Sequence, residues 1–281
     1  MTLRRKFSDK LINLAMYGVL IGISIFMLLP FIWMLSTSLK PENEIFRLPP
    51  IVISSNSSLN AYRNLIEQRN ILRIVANTFI IAAGATLLQL FFCALGGYGF
   101  AKFTFKGREK LFAILLATLI VPFTVLMVPL YIIMLNLSWI DTFWPLIIPG
   151  AASAFGIFFM RQYISSVSDE LLDAARIDGA GEFAIFRRIV LPIIMPGLTS
   201  LGLIFFMGAW NNFMWPLVIL KSPDNFNLPI AIRSYVGGVI GRPVFNLQMA
   251  ASIISILPLL LIFLVFQRRF VEGITAGAVK G

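Results

Sequence analysis

SVSDELLDAARIDGAGEFAIFRRIVLPIIMP, residues 166–196, is a polar island in an apolar chain. It holds five of the 13 acidic residues, Asp169, Glu170, Asp173, Asp178 and Glu182, and long hydrophobic runs flank it. Ser168 stands where a helix N-cap belongs, and Asp169 and Glu170 follow in the first turn, where they favour the helix dipole. The spacing predicts a short helix over 169–178, with Leu171, Leu172 and Ala175 on one side and Asp169, Asp173 and Arg176 on another. Gly179 supplies the stop that a left-handed cap wants. A second short helix should follow, with Phe183, Phe186 and Val190 on one face. Leu191-Pro192 then leads into the next apolar run, with Pro192 near its start. A helix–glycine–helix elbow joined to a spanning helix reads as a docking surface. The competing reading is an amphipathic helix resting on lipid, which the island's acids oppose because anionic headgroups repel them.

Working outward, the 281 residues are 58% hydrophobic and only 13% charged, and the mean hydropathy is +0.88. A soluble domain carries about twice that charged fraction. Lipid offers the backbone no hydrogen bonds, so spans must be helices or a closed barrel. The runs are continuous rather than alternating, which selects helices. Six spans are expected, near Leu11–Ser36, Ile74–Phe100, Leu111–Leu135, Thr142–Arg161, Ile193–Leu220 and Leu247–Phe266. The fold class is therefore an all-α polytopic membrane bundle of six transmembrane helices. With both termini inside, the inner segments carry 15 Lys and Arg and the outer segments 8. The positive-inside rule then places both termini and the island in the cytoplasm. The basic start, Arg4, Arg5 and Lys6, leads into a run too long for a cleavable signal. The net charge of +10 is mostly this topology signal, and its scatter over short loops argues against nucleic-acid binding.

Small residues punctuate the spans: Gly84, Gly96, Gly97 and Gly99 in the second, and Pro149, Gly150 and Gly156 in the fourth. They can be packing faces or hinges beside a pathway. Near the end of span five, Trp210, Asn211, Asn212 and Phe213 combine aromatic rings with amides. That chemistry suits an uncharged polyhydroxylated ligand, and equally an interfacial belt with interhelical amide bonds. No span carries a central acid or base, as a proton relay would need. There is no histidine and no P-loop, so no catalytic or metal-ligating residues are assigned, and the chain binds no ATP through a P-loop of its own. Cys93, the single cysteine, cannot form an internal disulfide.

The pattern Asp173-Ala174-Ala175-x3-Gly179-x9-Ile189-x-Leu191-Pro192 resembles the EAA loop of ABC-importer permeases, with Asp173 where the family usually has Glu. Ser38–Pro50, Gly97–Arg108, Trp210–Leu217 and the tail Arg269–Gly281 resemble the MalG-like branch of carbohydrate importers. The resemblance implies one permease domain over 1–281, with core helices about 70–270, a cytoplasmic coupling loop 163–192 and an extracytoplasmic loop 37–73. It implies a multi-pass protein of the cytoplasmic membrane. Its partners would be a second, MalF-like permease, two ATPase subunits and an extracytoplasmic binding protein, in membrane lipid and with no nucleic acid. No cofactor would bind this chain, since ATP and Mg would sit on the ATPases. Asp173 would make a charge contact with an ATPase, Ala174 and Ala175 a close fit, and Gly179 the bend, while Ile189, Leu191 and Pro192 complete the motif. The tail would reach toward the ATPase interface, or simply fray. Trp210, Asn211, Asn212 and Phe213 would wall the substrate pathway. A secondary transporter and a non-transporting membrane scaffold are the alternatives. The first would need internal charges or paired broken helices.

Overall fold

The structure is a computed structural model that describes residues 2–235 and 244–278, with side chains at 13–235 and 244–267. Every regular element among the described residues is helical. The helices are α1 (Thr2–Leu39), α2 (Glu42–Ile45), α3 (Asn60–Glu67), α4 (Ile71–Lys102), α5 (Arg108–Ala117), α6 (Phe123–Asn136) and α7 (Trp144–Ile147). They continue as α8 (Ala154–Ile164), α9 (Asp169–Ile177), α10 (Glu182–Ile185), α11 (Leu191–Trp210), α12 (Met214–Ile219), α13 (Leu228–Ser234) and α14 (Phe245–Ala278). Two compact units partition the chain.

The first unit comprises residues 1–70 and 232–254. Its apolar helix α1 is followed by a loop tied by polar groups. The Ser38 hydroxyl meets Tyr62 Oη at 2.8 Å, and Lys40 lies 4.6 Å over the Trp33 ring with its ammonium donating to the Ile51 carbonyl. Glu44 accepts from Ser54 and from Asn56 Nδ2, which hold its carboxyl below the usual range. Phe46 stands edge-on to Phe245 at 4.9 Å. These contacts order part of the expected outer segment 37–73. Residues 236–243 of the expected outer segment 221–246, and the tail's last residues 279–281, lie outside the described residues.

The second unit comprises residues 71–231 and 255–281. Here α4 packs along α8 and α11 around a core that includes Cys93, Tyr98, Met160, Ile164, Val190, Ile194 and Leu201. Small residues let the axes approach. A Cβ on Gly97 would lie 2.5 Å from Met160 Cβ and 2.9 Å from its carbonyl carbon, so this crossing brings backbone against backbone. Of the two readings of these residues, packing describes Gly97 and Gly156, whereas Gly99 faces open space.

Several expected spans are not single helices. Among the described residues, four helical segments are long and apolar enough to cross a membrane: Asn13–Leu39, Ile71–Lys102, Glu182–Trp210 and Phe245–Gln267. The run expected at Leu111–Leu135 bends by 97° between α5 and α6. Val121 is extended before Pro122, which disfavours helix in its predecessor and caps α6. The run expected at Thr142–Arg161 is interrupted across 148–153, around Pro149 and Gly150. It restarts when the Ser153 hydroxyl caps the Gly156 amide at 3.3 Å.

The expected second short helix is not separate either. α10, a wide π turn over Phe186–Val190 and α11 form one segment, so Pro192 lies inside a 29-residue helix rather than at its start. The proline takes a donor from the preceding turn, and a π turn is one way a helix absorbs that loss. Phe186 and Val190 are buried while Phe183 is exposed, so the three do not share one face.

Candidate functional site

The elbow is built on α9 and its C-terminal turn. Ser168 occupies the N-cap position, but its hydroxyl makes no capping bond. At the other end Gly179 has φ 83°, its amide bonds to the Arg176 carbonyl and the Ala180 amide to the Ala175 carbonyl, both at 3.0 Å. These paired bonds form a Schellman motif, and the left-handed residue in it is the glycine.

Three side-chain links hold the elbow to the bundle. The nearly buried Lys102 ammonium, at the end of α4, donates to the Val167 carbonyl and to Asp169, both at 2.6 Å. That bond, followed by the ammonium's charge, holds the Asp169 carboxyl below its usual range. Tyr98 donates to Glu182 at 2.8 Å, Glu182 accepts from Arg176 Nε at 2.7 Å, and Arg176 reaches Asp173 at 2.7 Å. Leu172, 1% exposed, plugs α9 into the same core as Ile185 and Val190.

The geometry redistributes the expected roles. Asp173 is bonded to Arg176 in its own helix. Leu171 is exposed and Ala175 half-buried against the core, so only Leu172 and Ala175 of the expected apolar side face inward. The outward face carries Glu170, Ala174, Ile177 and Asp178, with Ile177 86% exposed. Ile189 and Leu191 pack on the core's edge and Pro192 is exposed. Sequence reasoning missed Ile177, and it missed Tyr98, Lys102 and Glu182 as the ties. An exposed isoleucine in a loop helix was the available signal for the first.

A second feature is a recess of about 720 Å³ among α4, α6, α7 and α11. One wall is aromatic: the Trp215 indole donates to the Pro145 carbonyl at 2.9 Å and meets the Phe123 ring edge-on at 5.8 Å. Among the described residues, two amides line it, Asn212 and Gln89, and no charged side chain does. Gln89 packs 3.1 Å from where a Cβ on Gly150 would stand, so that glycine leaves room for the amide. The Asn212 carbonyl oxygen accepts from Asn227 at 2.9 Å.

The four expected wall residues therefore separate. Asn212 lines the recess. Trp210 is fully buried and its indole donates to the Ser255 carbonyl at 3.2 Å. The Asn211 side chain bonds the Met207 carbonyl at 2.9 Å, on its own helix, and Phe213 packs with Trp215 and Ile219 in a small core. No group of three potential metal ligands occurs among the described residues.

The family model for the binding-protein-dependent transport system inner membrane component matches residues 93–276, which include the elbow and the recess-lining helix α11. The chain belongs to that family. The permease is thus a multi-pass inner-membrane component of an ABC importer and not itself an ATPase. It is 35% identical over 283 residues to the arabinooligosaccharides transport system permease protein AraQ of Bacillus subtilis, covering 98% of each chain. It is 34% identical to the lactose transport system permease protein LacG of Rhizobium radiobacter, covering 99% of each. Its fold resembles a chain of a bacterial ABC transporter that imports the acidic polysaccharide alginate. That match has a TM-score of 0.81 at 22% identity, over 94% of this chain and 98% of that one.

Proposed function

We propose that the permease moves an uncharged oligosaccharide or polyol, delivered by an extracytoplasmic binding protein, through a pathway shared with a second, MalF-like permease subunit. The relatives' names, arabinooligosaccharides and lactose, support the substrate class. So does a recess whose amides can exchange hydrogen bonds with hydroxyls and whose rings can cover a sugar face. The six crossings of this reading are α1, α4, the bent α5–α6, the broken α7–α8, α10–α11 and α14, with both termini cytoplasmic. Residues 1–281 form one permease domain with a cytoplasmic loop 163–192 and an extracytoplasmic loop 37–73. ATP and Mg belong to two partner ATPase subunits. Membrane lipid surrounds the spans, and no nucleic acid takes part.

The observation that carries the mechanism is that α9 is fixed at both ends to the bundle. Lys102 grips its start, and Arg176 and Glu182 join its end to α10 and to Tyr98. A force on the outward face, with Ile177 as its apolar knob, therefore passes to α10–α11 instead of being absorbed by a slack loop. Closure of the ATPase pair displaces α9, and the α10–α11 helix turns the pathway between its two openings. Gly179 keeps the bend, and the Asp173–Arg176 pair braces it.

The test is reconstitution with the partner subunits. Ile177→Asp and Ala174→Trp change an exposed face, so insertion and melting temperature should stay as in the unchanged protein. Stimulation of ATP hydrolysis by the binding protein, and uptake with it, should fall at least tenfold. Normal uptake in both variants would overturn the docking assignment. A scaffold that moves nothing would show no stimulated hydrolysis even without substitution.

A further inference from the structure

A smaller recess of about 410 Å³ lies between α4 and the α10–α11 helix, and the transport mechanism above leaves it unused. Phe91 and Ala94 form one wall, and Leu191, Met195 and Leu198 the other. Arg187 and the exposed ring of Phe183 stand at one end and Thr199 at the other. The Thr199 hydroxyl donates to the Met195 carbonyl at 2.8 Å, so the groove's far end makes no polar demand. Arg187 is exposed and, among the described residues, its guanidinium makes no ion pair or hydrogen bond.

The dimensions decide the occupant. Thr199 lies twelve positions beyond Arg187, about 18 Å along a helix. Half of the hydrocarbon core of a bilayer is about 15 Å. The groove is thus about one leaflet deep, apolar along its length and bordered at one end by a guanidinium. An arginine near a helix end reaches readily to the headgroup level. We propose that this groove holds one anionic phospholipid of the cytoplasmic leaflet, an acyl chain lying between α4 and α11 and the headgroup phosphate on Arg187. The leaflet follows from the orientation proposed above. Occupancy would brace the helix that carries the elbow, so ATP use by the assembled importer would respond to the anionic lipid content of the membrane.

The full-length chain in detergent, titrated with palmitoyl-oleoyl phosphatidylglycerol or the matching phosphatidylcholine and read by native mass spectrometry, tests the site. This readout is independent of leaflet and of transport. The unchanged protein should retain phosphatidylglycerol about fivefold better than phosphatidylcholine, the selectivity that one basic residue at an anionic surface supplies. Arg187→Gln should abolish that preference, whereas Arg188→Gln, outside the groove, should keep it. A photoactivatable acyl chain should crosslink to Phe91, Met195 or Leu198. Equal retention of the two lipids, equal loss in the Arg187 and Arg188 variants, or acyl crosslinks elsewhere would each overturn the site. So would a disulfide crosslink from Met195→Cys to the second permease subunit in the assembled importer, which would give the groove a protein occupant.

Discussion

Gly179 is the residue on which the elbow's shape turns, and its replacement can be worked through from its surroundings. Its φ is 83°, and a Cβ built there would meet nothing within 4 Å. Substitution therefore adds no clash, and the cost is that of the backbone alone. A left-handed conformation costs an L-residue about 1–2 kcal/mol, which lowers the ratio of bent to unbent elbow about 5- to 30-fold. Asn tolerates this region better than Ala, and a β-branched residue tolerates it worst. Gly179→Pro goes further, because it fixes φ near −65° and removes the amide that bonds the Arg176 carbonyl. The assay is reconstituted importer, scored as solute moved per ATP hydrolysed. Coupling should fall in the order Gly, Asn, Ala, Val, Pro, with membrane insertion unchanged throughout. Full coupling in the Val and Pro variants would refute the argument that a left-handed turn sets the orientation of α9.

Gly97→Ala should lower the melting temperature in detergent. Its Cβ would stand 2.5 Å from Met160 Cβ, and overpacking of this kind costs about 1–3 kcal/mol. Gly99→Ala, with nothing within 4 Å, should leave stability unchanged or raise it. Asn212→Leu should weaken uptake or alter its specificity because the side chain lines the large recess, whereas Asn211→Leu should change neither. Unchanged transport in the Asn212 variant would remove that residue from the pathway. Burial pushes the Asp141 carboxyl up, but hydrogen bonds from the Ser222 hydroxyl and the Lys221 and Ser222 amides outweigh it and leave the group at about 2. A carboxyl lowered from its ordinary value near 4 adds stability above that value and loses it as pH falls toward 2. Asp141→Asn should therefore melt lower than the unchanged protein at pH 7. The gap should narrow below about pH 4, and a constant gap across that range would count against the network.

What the sequence made legible was whatever a local pattern encodes. Apolar runs gave α4 and the apolar portions of α1 and α14, Asn13–Leu39 and Phe245–Gln267, to within three residues, because lipid forces any such run into a helix; the polar ends by which α1 and α14 extend beyond them were not expected. The order of Ser168, the acids and Gly179 gave α9 and its stop, because N-terminal dipoles and left-handed turns select particular residues. What stayed hidden depends on partners distant in the chain. Pro192 reads as a helix start, yet the π turn before it lets the helix run on, and its neighbours Ile185 and Val190 are held by a core that spacing does not reveal. Asp173 reads as a free charge until Arg176 is found to be held by Glu182, which in turn takes its bond from Tyr98, 84 positions away. Trp210 and Asn212 lie two residues apart, but a helix end separates them, so one is sealed inside and the other faces the recess. The breaks at Pro122 and across 148–153 were marked by prolines in the sequence. A proline in a membrane helix can bend it, break it or be absorbed, and only the surrounding packing decides which.

The close crossings of the second unit bear on how the permease can move at all. Gly97 admits the backbone of α8, a Cβ on Gly156 would lie 2.5 Å from Cys93 Sγ and 2.7 Å from the Phe205 ring, and one on Gly197 would lie 2.7 Å from the Tyr163 ring. Helices meshed this tightly have no clearance to slide past one another. Under the proposed mechanism, a stroke delivered at α9 would therefore not turn α11 alone but would carry α4 and α8 with it as a block. The helix from Glu182 to Trp210 is about 43 Å long, so a tilt of about 10° sweeps its far end through roughly 7 Å. That travel has to be taken up where helical hydrogen bonding is already broken, at Pro122, across 148–153 and at Asn211–Phe213. Two of those three seams border the large recess, so the same breaks that give the block its freedom would also reshape the space around Asn212 in each cycle.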